Sequence, residues 1–567
     1  ALGRTYQLVI SAVSISINEA TAALDAMQSA TVTNSGTMAI GGKLTVKSEF
    51  KREESTGYGQ AKATTGGAGG GDIAILDSKT NAARATANAV VAAAITGGLI
   101  TAGSVDIDAI ADTESNARAQ ISYDITIITV GNLDALALAL NTVKAYVENS
   151  TLKVAGNVSI DSSSTAVAKA TCDMPGGIGI ASGHTARARA FVGTPAEASL
   201  TDDEKAGLSG IVWNTAQVST AYANGATIEA GGNISILAYN TGEGESEVKK
   251  GSTIGIGTLS KTAIPTGANY STSAKVYGSS ALTSGGSISI TAQDYTWSRS
   301  VATGKSIGII VNASTTYGKN HQTVNTAVEV KGSVLKADLS IDILATSKAY
   351  MYAHTKADGG GTFTGTQLLA KNVLTRSTSV TIEQSSRIEA DRGIIAIKAV
   401  SGTEDSITTK AEISSGGVVN FSNAKAETNV DLTTAVYIKS GVKIVDTFNT
   451  ILISADGSMN NLYSKVSVDA SGLGTAPQAS SATVVKIAPK VDIQGISGSA
   501  ASITGRVVDI RTFTSKLYIK DDTYAKGKSL GANVDAKTNL TVTIEPYIRV
   551  TYAVIKGYDK ISLRSSS

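Results

Sequence analysis

The stretch GGNISILA at residues 231–238, with its near copy GGSISITA at 285–292, decides the fold. In both, small residues precede an apolar–polar–apolar alternation, which is the two-residue period of a β-strand with one buried face. A strand of this length is too short to be stable alone. If equivalent strands stack in register, their apolar residues form a continuous core and their backbone groups satisfy one another. The stretch therefore predicts an all-β solenoid.

The same phrase recurs along most of the chain, and we call its first apolar residue the anchor. Successive anchors are 53, 76, 54, 53, 54, 56, 57 and 53 residues apart, which gives a repeat of about 54 residues. Earlier copies begin at Leu44 and Ile73, and the short spacings between these copies and the first anchor favour two coils in each unit, with three left open. The anchors are Val105, Val158, Ile234, Ile288, Ile341, Ile395, Ile451, Val508 and Ile561.

A second phrase follows the anchor within several units, as in IGI at 178–180, 254–256 and 307–309. The unit is therefore composite. We predict one elongated solenoid over residues 1–567, with irregular first coils at 1–104 and regular repeats at 105–510. An insertion interrupts the repeats at 193–210, and aromatic- and lysine-rich terminal coils occupy 511–567.

The composition suits a narrow core. Charged residues make up 17% and aromatic residues 5% of the chain, with 6 Phe and 2 Trp, so small inward side chains are expected. Glycine or asparagine before each strand predicts a corner with positive φ. A β-propeller, whose blades repeat at about 50 residues, is the main structural rival. It is disfavoured because propeller blades carry more aromatic residues and clearer hairpin signals.

The longest anchor spacing, from Val158 to Ile234, exceeds the others by about the size of one inserted coil or of an excursion from the solenoid. Within residues 195–207, Thr201 and Glu204 have the spacing of a helix capping box, which predicts a short helical loop projecting from the solenoid. One interpretation makes this loop a ligand-contacting site. The other makes it a tolerated surface insertion. The candidate contact residues are Asp202, Asp203, Glu204 and Lys205.

The terminal segment interleaves aromatic residues with lysines. One hypothesis is a contact surface for a glycan, a neighbouring chain or an adjoining domain, because tyrosine offers a large amphipathic area at modest entropic cost. The alternative is a ladder of outward tyrosines that pack side by side. The tyrosines concerned are Tyr518, Tyr524, Tyr547, Tyr552 and Tyr558.

Charge and motif content favour a protein without chemistry of its own. Lys and Arg number 49 against 47 Asp and Glu, so net charge gives no case for nucleic-acid or membrane-surface binding. The acidic pairs at 202–203 and 521–522 have neither a nearby histidine nor a second acidic pair one repeat away. The three histidines share no metal-ligand spacing. The sequence predicts no catalytic residue, no metal and no cofactor, and the apolar stretch at 8–17 is too interrupted for a membrane span.

The sequence ATIEAGGNISI at 226–236 resembles the repeat of filamentous-haemagglutinin-like and leukotoxin-type large adhesins of Gram-negative bacteria. The resemblance implies a right-handed parallel β-helix that is exported through the outer membrane and displayed as a surface fibre. It also implies attachment, cell contact or biofilm roles, with a glycan or protein of a host or neighbouring cell as partner. The alternatives are a filament subunit that self-associates head to tail and a β-helix enzyme that cleaves glycans.

Overall fold

The computed structural model describes residues 10–53, 59–65, 72–121, 124–206, 208, 211–383 and 385–567. These residues form a parallel β-solenoid in which every pairing between named strands is parallel, so the predicted fold class is confirmed. The described strands are β1 Ile10–Thr33, β2 Thr37–Ala39, β3 Lys43–Phe50, β4 Gln60–Thr65, β5 Asp72–Thr96, β6 Leu99–Ala102, β7 Ser104–Gln120, β8 Asp124–Glu148, β9 Thr151–Val154, β10 Val158–Val192, β11 Gln217–Asn224, β12 Thr227–Ala230, β13 Ile234–Tyr277, β14 Ala281–Ser284, β15 Ile288–Lys331, β16 Val334–Ala337, β17 Ile341–Glu383, β18 Arg387–Ala390, β19 Ile395–Ser401, β20 Ser406–Ile438, β21 Lys443–Gly457, β22 Met459–Ser471, β23 Gly474–Gln494, β24 Ala501–Phe513, β25 Leu517–Lys528, β26 Gly531–Ala532, β27 Asp535–Ile544, β28 Tyr547–Thr551 and β29 Ala553–Ser566. A 3₁₀ turn at Glu197–Ser199 and one short helix, α1 Asp202–Lys205, lie between β10 and β11.

All the predicted anchors stack in one column. Each pairs with the anchor of the next repeat, as Ile234 does with Ile288 and Ile288 with Ile341, and the column continues to Ile561. Pairings between the described strands join residues 52 to 76 positions apart. One repeat is therefore one coil, and the expectation of two or three coils per unit is wrong. The error came from Ile73, which pairs with Ile125 in the second phrase and not with an anchor.

Each coil is a flattened loop, and β15 shows its form. Ser300 Oγ donates to Asn320 Oδ1 at 2.7 Å, Thr296 Oγ1 to Gln322 Oε1 at 2.8 Å, and Ser306 Oγ to Asn312 Oδ1 at 2.8 Å. Because these pairs are centred near residues 309–310, the long strand runs out, reverses there and runs back. We call the two halves the outgoing arm and the return arm, and the reversal the tip.

The second phrase of the repeat is this tip. The opposite end of the coil is closed by a four-residue strand such as β14 or β16, which we call the base. Ten anchors, counting Leu44, at about 4.8 Å per coil span about 43 Å along the axis, whereas an arm of about 20 residues extends about 65 Å. These coils therefore form a slab that is broader than it is tall.

The core is apolar at the base and narrow along the arms. Ile288, Ile290 and Leu282 of one coil are fully buried with Val330 of its return arm. In the first coils the arms are filled by alanine, among them Ala85, Ala137 and Ala168, as expected for a core with little room. In the middle coils hydrogen-bonded polar side chains take that place, and Asn320 Nδ2 donates to Asn372 Oδ1 of the next coil at 2.8 Å.

The glycines before the anchor allow neighbouring coils to approach closely, and they do not adopt positive φ. Gly231 and Gly285 have no positive φ, but a Cβ on either would lie within 3.0 Å of a carbonyl oxygen of the preceding coil. Positive φ occurs instead at the corner that precedes the base strand, with +69° at Gly278 and +59° at Gly332. The expectation of a positive-φ corner at the Gly-Gly pair is therefore wrong, since the constraint there is steric contact between coils.

The insertion is an excursion and not an extra coil. As far as Val192, residues of β10 pair with β8 residues that lie 53 positions earlier in the sequence. From Val218 onward, residues of β11 pair with β8 residues that lie 76 positions earlier. The capping box of α1 is present, with Thr201 N donating to Glu204 Oε2 at 2.7 Å. The segment does not project from the solenoid, because it packs on the outer face of the return arms. The apolar contact consists of Leu136, Leu138, Phe191, Leu200, Leu208, Ile211 and Trp213.

Candidate functional site

Of the contact residues predicted on the insertion, Glu204 is buried against the slab and Asp202 is exposed to solvent. Glu204 is only 1% exposed, and its carboxylate lies 3.0 Å from Lys319 Nζ on a return arm two coils away. Asp202 is fully exposed and lies 3.3 Å from Lys205 Nζ, while the side chain of Asp203 is outside the described residues. Glu204 therefore holds the insertion against the slab and is not available to a ligand, which corrects its candidacy.

Arg189 also holds the insertion against the return arms. Its side chain is fully buried under the insertion, where Nη1 donates to the carbonyl oxygens of Glu204 at 3.1 Å and Ala206 at 2.7 Å. Its other terminal nitrogen pairs with Asp134 of the preceding coil. A guanidinium with several donors in a fixed plane suits this bridging of carbonyls and a carboxylate.

We expect Arg189→Met to loosen the insertion while leaving the solenoid folded, because the variant loses both carbonyl contacts of α1. Amide hydrogen exchange measured by mass spectrometry should be at least tenfold faster over 196–206, with β13 unchanged. Arg187→Met, two residues earlier on the same outer face, is the matched control. Unchanged exchange over the insertion would show that the apolar contact holds it without the arginine.

The five predicted tyrosines lie around the last coil and do not form one ladder. Tyr518 and Tyr524 are on the outgoing arm in β25, Tyr547 is on the return arm in β28, and Tyr552 and Tyr558 flank the base. Each is about half exposed. Among the described ring contacts none joins two of them, whereas stacking of the predicted kind joins Tyr146 and Tyr222 on the return arms, with centroids 4.8 Å apart. Only Tyr518 and Tyr524 share a surface.

That surface is the outer face of the outgoing arms, which carries an aromatic residue in most coils from the fourth onward. The ring of Trp297 stacks on that of Tyr350 one coil later, with centroids 5.7 Å apart and planes 4° from parallel. The insertion packs on return arms and leaves this face uncovered. We call it the aromatic–cationic strip, and its aromatic members are Tyr239, Tyr295, Trp297, Tyr350, Tyr352, Tyr463, Tyr518 and Tyr524.

Cations lie between these rings. Lys410 Nζ is 6.0 Å from the ring centroid of Tyr352 and 5.6 Å from that of Tyr463, and Lys520 Nζ is 5.3 Å from Tyr463. Such contacts fix the lysine stems over the rings. Tyr463 also donates its hydroxyl to Asp522 at 3.2 Å. Burial raises the pKa of both Tyr352 and Tyr463, so their hydroxyls stay protonated donors at neutral pH.

Acidic residues balance the cations of the strip. Glu412 lies 2.6 Å from Lys465 Nζ and 3.2 Å from His354 Nε2, and Lys348 Nζ lies 2.8 Å from Glu404. The strip therefore presents hydroxyls, ammonium groups and carboxylates on a flat β-surface without a strong excess of one charge. Such a surface can form many hydrogen bonds with a neutral, hydroxyl-rich ligand.

Sequence reasoning missed the middle of the strip because its members lie a whole coil apart in the sequence. The signal was present: Trp297 and Tyr350 both stand nine residues after an anchor, an outward position because the anchor and the residues at even offsets from it point inward. Alignment of the repeats on their anchors would have brought Tyr352 and Arg299 together in the same way.

Groups suited to chemistry are not gathered in the described part of the chain. No three or more His, Cys, Asp or Glu side chains there are placed to hold a metal ion. Asp522 pairs with Lys520 at 2.8 Å, and Asp521 accepts from Thr483 Oγ1 at 2.9 Å. Both carboxylates of this acidic pair thus take part in contacts within the solenoid. No helix among the described residues is long and apolar enough to cross a membrane.

Comparison with known proteins identifies no relative. No family model matches the chain, and neither a curated protein nor a solved structure is significantly similar to it.

Proposed function

We propose that this chain is a non-enzymatic adhesive scaffold of a secreted bacterial surface fibre, and that it binds a glycan through the aromatic–cationic strip. The observation that carries the proposal is the strip itself, an open row of rings and paired charges along the outgoing arms. The resemblance of residues 226–236 to adhesin repeats supports the surface location.

The physical case for a glycan rests on geometry and on entropy. Ring stacking and ion pairs between coils already hold the strip side chains, so little rotamer freedom remains to be lost when a ligand binds. Hydroxyl and ammonium groups recur at about 4.8 Å along the axis, and a polymer with a regular repeat can meet several of them at once. Many weak contacts then add to a useful affinity.

The solenoid supplies the mechanical part of this function. Every strand of an interior coil pairs on both sides along the axis, as β15 does with β13 and β17. Unfolding an interior coil breaks both of these ladders. A scaffold built in this way keeps its binding face flat under load and resists proteolysis.

We expect Trp297→Ala combined with Tyr350→Ala to weaken binding of a neutral polysaccharide at least tenfold, because the variant removes the central ring pair of the strip. Affinity electrophoresis against neutral and acidic polysaccharides measures the change. The matched control is Tyr146→Ala with Tyr222→Ala, which removes a comparable stack from the opposite face.

Three results would contradict the proposal: no binding to any polysaccharide, equal loss in both double variants, or release of new reducing ends during incubation. The last would indicate glycan cleavage, the enzymatic alternative.

A further inference from the structure

The tips of eight successive coils contain no charged residue. The segments concerned are 125–131, 178–183, 254–259, 307–312, 359–365, 415–421, 471–475 and 529–534, and together we call them the tip ridge. In a chain with 17% charged residues this is a marked local depletion, and it follows one edge of the slab over these eight coils.

Among the described side chains of the ridge, large apolar ones are open to solvent in several coils. Ile309 is 62% exposed, Phe363 52%, Phe421 63% and Leu473 59%. The outer faces of the arms differ sharply, since ion pairs between coils cover them, such as Lys371 with Glu427 at 2.7 Å. A continuous exposed apolar patch of this kind is characteristic of an interaction surface.

We propose that the tip ridge is a lateral docking surface for a second copy of this chain, and that two slabs pair ridge to ridge. A partner that covers the ridge along its length must repeat with the same axial spacing, about 4.8 Å. This chain itself has that spacing. The uncharged ridge meets no like charges when it faces itself, and a two-fold axis makes one patch complementary to its own copy.

The area is sufficient for such a pair. Seven coil spacings give a ridge about 34 Å long, and a tip of five or six residues is about 15 Å wide. Two copies together then bury about 1,000 Å², which is the lower limit for a specific interface. The pair is therefore reversible in isolation and gains strength wherever slabs are held side by side. A lipid surface is a poorer fit, since the eight segments of the ridge contain no tryptophan.

Analytical ultracentrifugation of the full chain tests the pairing. We expect a reversible monomer–dimer equilibrium and at least a tenfold weaker dimer for the triple variant Ile309→Asp, Phe363→Asp and Leu473→Asp. The control triple variant, Leu339→Asp, Ile394→Asp and Ile496→Asp, alters residues of similar exposure at corners of the base, the opposite edge of the slab. It should dimerise like the wild type. A wild type that stays monomeric, or equal weakening by both variants, overturns the proposal.

Cross-linking locates the contact independently of folding effects. In either two-fold arrangement the middle of the ridge meets the middle of its mate, so Ile309→Cys should give a covalent dimer with a short bis-maleimide. Cys172 is buried, and burial raises the pKa of its thiol, so the introduced cysteine is the reactive one. Leu339→Cys at the base is the control. The proposal is overturned when the Ile309→Cys variant gives no covalent dimer, or when this variant binds lipid vesicles without forming a dimer.

Discussion

Replacement of Arg376 by methionine is expected to destabilise the sixth and seventh coils by about 3–5 kcal/mol, since it leaves a buried carboxylate without its partner. Arg376 and Asp405 are both fully buried between the arms. The guanidinium holds the carboxylate with two contacts, Nη1 to Oδ2 at 2.9 Å and Nη2 to Oδ1 at 3.1 Å. Ala349 N also donates to Asp405 Oδ1 at 2.8 Å.

The loss should depend on pH. Burial raises the pKa of the Asp405 carboxyl, and Arg376 opposes that shift. Without the arginine the pKa rises further, so the folded variant takes up a proton more readily than the unfolded chain does. Its stability deficit is then larger at pH 8 than at pH 5. Addition of Asp405→Asn should recover part of the loss, because the uncompensated charge is removed.

Urea denaturation followed by Trp297 fluorescence measures this change, because Ala349 precedes Tyr350, whose ring stacks on Trp297. A Trp213→Phe background leaves Trp297 as the single tryptophan. Arg506→Met, which removes an exposed arginine paired with Asp559, is the control and should cost at most about 1 kcal/mol. Equal effects of the two substitutions would mean that the buried pair contributes no more to the free energy of unfolding than an exposed ion pair does.

The anchor column could be read from the sequence because its physical signal is simple. Ile288 and Ile290 alternate with polar residues, small residues precede them, and the spacing recurs, so strand, face and stacking follow together. The narrow core could be inferred from the scarcity of Phe and Trp. The same reasoning placed the second phrase correctly in sequence but could not assign it to a chain reversal, since a tip and a strand anchor both show Ile alternating with small residues.

The polar interior of the middle coils lay beyond this kind of reasoning. From Asp294 to Ser300 the inward residues are all polar, whereas the outward ones are Tyr295, Trp297 and Arg299, so alternation of apolar and polar residues would assign the two faces the wrong way round. Arg376 and Asp405 are far apart in the sequence and meet only because the arms fold against each other. Ser347 pairs with Ser401, but three residues later Tyr350 pairs with Ser406, so the second coil contains two additional residues between these pairings. The additional residues lie in the turn that carries Asp405.

The insertion shows the same division between local and long-range information. Its capping box is a contact between neighbours in sequence, and Thr201 and Glu204 form it as predicted. Whether the loop projects or docks depends on the contact of Leu200 and Trp213 with the return arms beneath them, and the residues of this contact come from two coils. The sequence contained these apolar residues, but their partners follow only from the register of the coils.

Asp294→Asn is expected to stabilise the protein at pH 8 and to have little effect at pH 4. Asp294 is fully buried between the arms, and burial raises the pKa of its carboxyl from 3.8 to about 7. The folded state therefore binds a proton that the unfolded state releases between these values. The contribution of this carboxyl to stability is highest below about pH 4, falls as the pH rises to about 7, and is then constant. A shift of this size corresponds to at most about 4 kcal/mol.

Hydrogen bonding decides how much of that energy the variant recovers. Thr326 Oγ1 and Thr272 Oγ1 donate to Asp294 Oδ2 at 3.2 and 3.4 Å, and an asparagine oxygen can accept the same two bonds. We therefore expect a gain of about 2–4 kcal/mol at pH 8, measured by urea denaturation with Trp297 as reporter. Asp391→Asn, which removes the same charge from an exposed corner, should change stability by less than about 0.5 kcal/mol at either pH. A loss of stability at pH 8 would mean that the ionised carboxylate, held by these threonines and by the nearby Arg376, is the form that the folded interior requires.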